Sequence, residues 1–167
     1  MYNSIITDEP CNISIGSNSW EHLKELIASQ TFYKLFVLTD ENTNLHCLPY
    51  FNEKFSNFRE IEVCSIPAGE INKTLASCNL VWELLSKHQA DRKSLLINLG
   101  GGMICDLGGF VASTYMRGIA WVNIPTTLLS MVDASVGGKT GVDFNNLKTL
   151  IGVLRNPPLV RAALHSS

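Results

Sequence analysis

The sequence predicts an α/β fold, a mainly parallel sheet with helices on both faces. Three observations carry this. Short apolar runs alternate with stretches of helical periodicity. The run over residues 94–99 is apolar without alternation, as expected of a strand covered on both sides. The runs end in glycine, proline or polar residues, the punctuation of strand-to-helix turns.

Residues 4–7 and 12–15 read as short strands, with Gly16 breaking the second. Trp20, Leu23, Leu26 and Ile27 recur at helical spacing, and Ser19 is placed to cap that helix. Residues 35–38 are a compact apolar run that opens into a polar loop, Thr39-Asp40-Glu41-Asn42. A weak helix over 45–55, interrupted by Pro49, leads to a strand over 61–66, which stops at Pro67-Ala68-Gly69. Leu75, Cys78, Asn79, Trp82 and Leu85 share a face, which predicts a helix over 71–88. After the polar turn 89–93 and the strand 94–99, the glycines open a helix over 101–116. A strand over 119–124 is closed by Pro125, and 126–134 can be helical. From Ser135 the chain is rich in Gly and Asn, with weak helical character returning over 147–154.

Composition narrows the function classes. A chain of 167 residues suits one domain with a real core, and 46% hydrophobic against 17% charged residues reads as globular. A net charge of -2 gives no electrostatic footprint for nucleic acid or an anionic membrane, so neither is an expected partner. No apolar run reaches the roughly 18 residues of a membrane helix, and MYNSIITDEP lacks the pattern of a signal peptide. Cys11, Cys47, Cys64, Cys78 and Cys105 are odd in number and lack CxxC spacing, which points to reduced thiols and a cytoplasmic protein. His22, His46, His88 and His165 are isolated, so no local metal cluster is expected.

In sheets of this kind a ligand sits beyond the carboxyl ends of the strands. Those ends are Asp40, Pro67-Ala68-Gly69-Glu70, Gly100-Gly101-Gly102 and Pro125-Thr126-Thr127, four loops that would gather on one rim. In INLGGGMICDLGGF the three glycines lack Cβ atoms and precede a helix, whose first N–H groups and partial positive charge suit a phosphate. Gly100-x-Gly102 fills the first two places of GxGxxG, and Cys105 stands in the third. On its residues alone the stretch is a structural turn or a phosphate cradle. Asp106 either complements the helix dipole or faces a ligand, and Thr126 and Thr127 either cap the next helix or face the site. Gly137-Gly138-Lys139-Thr140 looks like the end of a P-loop, but Asp133 stands where GxxxxGK[ST] requires glycine, which excludes that motif. Lys139 and Lys148 are then surface cations or contacts to a phosphate or carboxylate.

The strings GGGMICDLGGFVASTYMRG, IPTTLLSMVDASVGGKTGVD and LKTLIG, with PAGEINKT upstream, resemble 3-dehydroquinate synthase, of the sugar-phosphate cyclase family. The match covers most of residues 34–157. The resemblance implies conversion of 3-deoxy-D-arabino-heptulosonate 7-phosphate to 3-dehydroquinate and phosphate, in the shikimate pathway of aromatic amino acid biosynthesis. It implies catalytic NAD+ and a divalent metal, zinc or cobalt, and a homodimer. The implied reaction oxidises a secondary alcohol, eliminates phosphate, reduces the ketone again and closes the ring by an aldol step. Residues 1–157 would be the Rossmann-like NAD-binding domain and 158–167 a truncated or divergent tail.

By position, the resemblance places Asp40, Asn42, Glu70 and Lys73 on the adenosine half of NAD. Gly101, Gly102 and Asp106 would take the pyrophosphate and nearby ribose, and Thr126 and Thr127 would complete the nucleotide site. Asp133, Lys139 and Lys148 would face the nicotinamide and substrate. Arg117 would meet the substrate phosphate, within its own chain or by reaching into a neighbouring subunit, a role suited to a guanidinium fork. Cys105 replaces a family glycine, Phe144-Asn145-Asn146 replaces a His-Pro-Leu-Gly run, and Thr149 stands where the family usually has Asn. The family's helical metal-binding domain, with one glutamate and two histidine ligands, lies beyond the match, so no residue here is assigned to the metal. The 167 residues alone are expected to be inactive, to bind NAD+ weakly and to self-associate through an uncovered apolar face. The alternatives are a stand-alone, non-catalytic nucleotide-binding domain and part of another sugar-phosphate cyclase.

Overall fold

The computed structural model describes residues 5–8, 11–15, 18–30, 32–58, 60–132, 139–154 and 159–162. Asp133, Gly16, Gly137, Gly138 and His165, all singled out in the sequence, lie outside the described residues. The strands are β1 (Ile5–Asp8), β2 (Cys11–Ile15), β3 (Lys34–Asp40), β4 (Ile61–Ile66), β5 (Ser94–Gly100), β6 (Ala120–Pro125), β7 (Lys139–Phe144), β8 (Leu147–Leu154) and β9 (Leu159–Ala162). The helices are α1 (Ser19–Ser29), α2 (Glu41–His46), α3 (Leu48–Lys54), α4 (Leu75–Lys87), α5 (Gly102–Thr114) and α6 (Leu128–Val132).

Seven strands form one sheet in the order β1-β2-β9-β6-β5-β3-β4. Every pairing is parallel except β1 with β2. β9 lies among residues that the sequence assigned to a tail, yet it inserts between β2 and β6. β5 sits near the centre, all seven of its residues buried, which is why its sequence shows no alternation. Successive residues feed opposite cores. Phe36, Leu38, Leu96 and Trp121 pack with α4 and α5, while Leu35, Val37, Leu95 and Ile97 pack with α1 and α3. No helix among the described residues is long and apolar enough to cross a membrane.

Several elements differ from the sequence reading. Ser19 is the first helical residue of α1, and Asn18 occupies the cap position. Asp40 opens no polar loop: its carboxylate accepts from the Thr43 backbone N–H at 2.8 Å, while the Thr43 hydroxyl accepts from the Asp40 N–H at 3.0 Å. This reciprocal cap starts α2 directly at the strand end. On α4 the buried stripe runs through Ser77, Cys78, Val81 and Leu85, with Asn79 exposed and bonded to Glu83.

The largest difference is 147–154, which is strand β8 and not helix. β7 and β8 form a separate antiparallel hairpin. Phe144 and Leu147 pair across Asn145 and Asn146, whose φ values are +50° and +61°. Asn tolerates that left-handed backbone, and two such residues make the tight turn that suits a hairpin. The turn chemistry overrides the weak helical spacing.

Glycine then lets α5 lie between sheet and hairpin. A Cβ on Gly108 would stand 1.9 Å from Asn98 Oδ1, and one on Gly109 would stand 2.3 Å from Thr140 Cγ2. Gly108 therefore brings α5 close to β5, the packing that position 105 was expected to permit. Beneath it, Asn98 donates to Asn123 Oδ1 at 2.9 Å within the sheet, both side chains fully buried.

Candidate functional site

Parallel register places the C-terminal ends of β3, β4, β5 and β6 on one edge. Asp40 pairs with Ile66, Leu38 with Asn98 and Gly100 with Pro125. The turn leaving β5 is fixed to the exit of β6, because the Thr126 N–H donates to the Gly100 carbonyl at 2.9 Å. Gly100 has no room for a side chain, since a Cβ would lie 2.6 Å from Ile104 Cβ. Gly101 is different: its Cβ would reach only ordinary contact with Thr127 Cγ2, at 3.4 Å. Gly101 is the cap position of α5, so the first N–H groups of a thirteen-residue helix open on this edge.

Cys105 does not obstruct that opening. Its side chain is fully buried and its thiol approaches the Gly100 carbonyl at 3.7 Å, so it turns toward the sheet. Burial, with the nearby Asp106 charge, pushes this thiol well above the usual range. Burial likewise pushes Cys64 up to about 11 and Cys78 up to about 12. With Cys47 these are free thiols.

The charged centre of the edge is Lys73, which is 5% exposed. The backbone reaches it through Gly69 (φ +102°) and a single 3-10 turn over Glu70–Asn72. Its ammonium donates to Asp106 Oδ2 at 2.6 Å and to Thr149 Oγ1 at 3.2 Å, and Glu70 Oε1 lies 3.6 Å away. Burial alone would lower the pKa of Lys73. The Asp106 hydrogen bond and charge, followed by the charges of Glu70 and Asp143, outweigh it and hold the group above the ordinary lysine value. Lys73 is therefore a fixed cation in a partly dry setting, where charge acts strongly.

A cavity of about 290 Å³ opens beside this pair, with Glu70, Lys73, Gly102, Met103, Asp106 and Thr127 among its walls. The Thr127 hydroxyl accepts from the Ser130 N–H at 3.3 Å, so Thr127 caps α6 while facing this space. A second hollow of about 220 Å³ lies on the opposite side of the same edge. Trp20, Cys47, Tyr50, Leu99 and Thr126 are among its walls.

The structure thus brings five of the sequence-predicted residues, Glu70, Lys73, Gly102, Asp106 and Thr127, to one cavity, and Gly101 directly precedes Gly102 in its wall. Thr126 belongs to the second hollow. Asp40 and Asn42 sit at the start of α2, the Asp40 carboxylate engaged as a cap, and line neither space. Lys139 and Lys148 are exposed on the hairpin and make no ion pair among the described residues. Arg117 lies apart from this group. It follows the far end of α5, about 20 Å from the glycine turn at the rise of a helix, so it does not share the cavity of its own chain. Met116 and Arg117 have φ of +50° and +67° there, and Arg117 is exposed.

Sequence reasoning missed Asp143. Its N–H donates to the Lys73 carbonyl at 2.8 Å, and its carboxylate accepts from the Thr149 N–H at 2.7 Å. The signal that points to it is the Asn145-Asn146 turn, since a hairpin places 143 and 149 near one another.

The sequence profile described as 3-dehydroquinate synthase N-terminal matches residues 63–166. The chain belongs to the 3-dehydroquinate synthase family. It is 47% identical over 137 residues to the 3-dehydroquinate synthase of Parabacteroides distasonis and 48% identical over 126 residues to that of Wolinella succinogenes. These alignments cover 82% and 75% of this chain but 38% and 36% of the relatives, so the chain spans well under half of their length. Among solved structures, 2-deoxy-scyllo-inosose synthase complexed with carbaglucose-6-phosphate, NAD+ and Co2+ superposes with a TM-score of 0.84 at 26% identity. That match covers 91% of this chain and 42% of the other. A 2-epi-5-epi-valiolone synthase from Streptomyces hygroscopicus, solved with NAD+ and Zn2+ bound, superposes at 0.82 with 23% identity, covering 98% and 45%. The family's fold, a Rossmann-like sheet, is the fold described above.

Proposed function

We propose that these residues are the nucleotide-binding part of a 3-dehydroquinate synthase. That enzyme converts 3-deoxy-D-arabino-heptulosonate 7-phosphate to 3-dehydroquinate and phosphate with catalytic NAD+. The observation that carries the reading is the Lys73–Asp106 pair beside a bare glycine turn, in a chain of this family. The fit to NAD+ is physical. Gly101, the cap of α5, carries no side chain, and the start of that helix borders the cavity through Gly102, Met103 and Asp106.

Bound NAD+ supplies a hydride acceptor that is restored within the turnover. In this reading the Gly101 and Gly102 amides hold its diphosphate. Asp106, hydrogen-bonded by the Lys73 ammonium, accepts from a ribose hydroxyl. Glu70, at the mouth of the cavity, accepts from a second hydroxyl, and Thr126 and Thr127 form the far wall. Asp40 and Asn42 serve the adenosine end from the start of α2. Asp133, Lys139 and Lys148 face the nicotinamide and the sugar phosphate, the lysines as compact cations for its carboxylate and oxygens. Arg117, exposed at the opposite end of α5, serves the phosphate of substrate bound to the neighbouring subunit of a homodimer. The buried, unpaired thiols of Cys64, Cys78 and Cys105 support a cytoplasmic setting.

The divalent metal does not fit the described residues. Among them, no three His, Cys, Asp or Glu side chains converge. The test is calorimetry of NAD+ with the 167-residue chain and with Asp106→Asn. Saturable binding that weakens about tenfold in the variant is expected, as for loss of a charge-assisted hydrogen bond. Equal binding by both chains would contradict the assignment. Phosphate release from the sugar phosphate is expected to be undetectable with these residues alone.

A further inference from the structure

The β7–β8 hairpin packs on α5 through Val142 and Ile151, and its polar tie to the nucleotide edge is made at Lys73, which it grips twice. The Asp143 N–H donates to the Lys73 carbonyl at 2.8 Å, and Thr149 Oγ1 accepts from the Lys73 ammonium at 3.2 Å. The two gripping residues are themselves joined, since the Thr149 N–H donates to Asp143 Oδ1 at 2.7 Å. Thr149 has φ of +48°, a conformation that disfavours a β-branched residue. Such a backbone persists where surrounding contacts over-determine it. Here they are the bond to Asp143, the bond to Lys73, and the threonine methyl held over Gly141, where a Cβ would meet it at 2.9 Å. A surface threonine with no task has no need of that geometry, and Thr149 is at the surface.

We propose that Thr149 is a positioning residue: through Lys73 it couples the hairpin that carries Lys139 and Lys148 to the edge that receives the nucleotide. Lys73 is nearly enclosed and has three N–H donors, one directed to Asp106 and one to Thr149. The Thr149 hydroxyl fixes the direction of the ammonium, and with it the placement of the Asp106 carboxylate that the ammonium holds. In return, the ammonium fixes the end of the hairpin beside Lys148. The inference rests on the nucleotide-binding reading above for its functional half, and on the hairpin contacts alone for its structural half.

The experiment uses the 167-residue chain with Thr149→Val, which keeps the shape and removes the hydroxyl, and Thr149→Ser, which keeps the hydroxyl. Thr149→Ala is a second hydroxyl-free variant should Val fail to fold. Amide hydrogen exchange is read over residues 139–154 without ligand, and NAD+ affinity by calorimetry. Exchange at the Asp143 and Thr149 amides is expected to rise about threefold in the hydroxyl-free variants, the scale of one partly exposed hydrogen bond. NAD+ affinity is expected to fall about threefold in the same variants, with Ser restoring both to near the parent values. Unchanged exchange in the hydroxyl-free variants would overturn the coupling. Changed exchange with identical NAD+ affinity in all chains would overturn the positioning role. A parent chain that binds no NAD+ defeats the nucleotide reading, and the positioning role falls with it, while the exchange result still decides whether Thr149 ties the hairpin to Lys73.

Discussion

Two helices leave neighbouring parallel strands at the same edge of the sheet, and they are finished to different degrees. α5 follows β5, has thirteen residues and buries nine of them between the sheet and the hairpin. α6 follows β6, has five residues and buries Ser130. Leu128, Leu129 and Val132 of α6 are each more than 70% exposed, as is Leu154 of β8. Three exposed apolar side chains on one short helix are the kind of surface that favours association. The comparison teaches which part of the site these residues complete. The α5 side has its charges paired, its glycines fitted and its cavity shaped. The α6 side presents an apolar face, in keeping with a chain that spans well under half the length of its relatives.

The sharpest way to break the α5 side is at its ion pair. Lys73→Met leaves Asp106, 18% exposed, without its 2.6 Å partner. Urea unfolding is expected to show a loss of about 3 kcal/mol, the low end for breaking a buried pair because Asp106 keeps some solvent. The pH dependence follows from the raised pKa of Lys73. The stability it contributes is full below the ordinary lysine value of 10.5 and is lost as pH climbs through the higher folded-state value. The parent chain should therefore lose stability above pH 10.5 more steeply than Lys73→Met, and parallel alkaline profiles would refute this.

Packing gives the next effect. Gly108→Ala would place a Cβ 1.9 Å from Asn98 Oδ1, on a side chain already tied to Asn123. A loss of about 2 kcal/mol is expected in the same unfolding measurement, with partial recovery in the double variant Gly108→Ala, Asn98→Ala. Gly101→Ala, seven residues earlier, meets only ordinary contact and is expected to change stability by less than about 0.5 kcal/mol. The two glycines separate what holds the fold from what holds the edge open.

On the α6 side the expected change is in association. Leu128→Gln with Val132→Gln should leave the unfolding midpoint within about 0.5 kcal/mol of the parent, since both residues are 73% exposed. Sedimentation velocity should show the parent self-associating at micromolar concentration and the variant less so.

The same contrast explains what was legible in the sequence. β3, β5 and α5 were readable because burial writes itself as apolar runs, and the glycines at 100–102 mark the turn between β5 and α5. The shared edge was readable because parallel connectivity leaves the C-terminal ends nowhere else to go. The hairpin was not, because its exposed strand β8 shows Leu147, Leu150 and Leu154 at spacings of three and four, which imitate a helix. Its true signal, Asn145-Asn146, is two residues long. The role of Gly108 was hidden because the demand for it comes from Asn98, a contact made only after folding. Asp40 was read as a loop residue because a cap that begins a helix without a connecting loop shows only as an Asp three residues before a Thr.

The central claim is that the glycine turn and the Lys73–Asp106 pair receive a dinucleotide. Titration of NAD+ into the isotope-labelled chain, followed by backbone amide chemical shifts, tests it most directly. The account predicts the largest shifts at Gly101, Gly102, Asp106 and Thr127. Largest shifts at the opposite edge of the sheet, around Lys34 and Gln89, would contradict it.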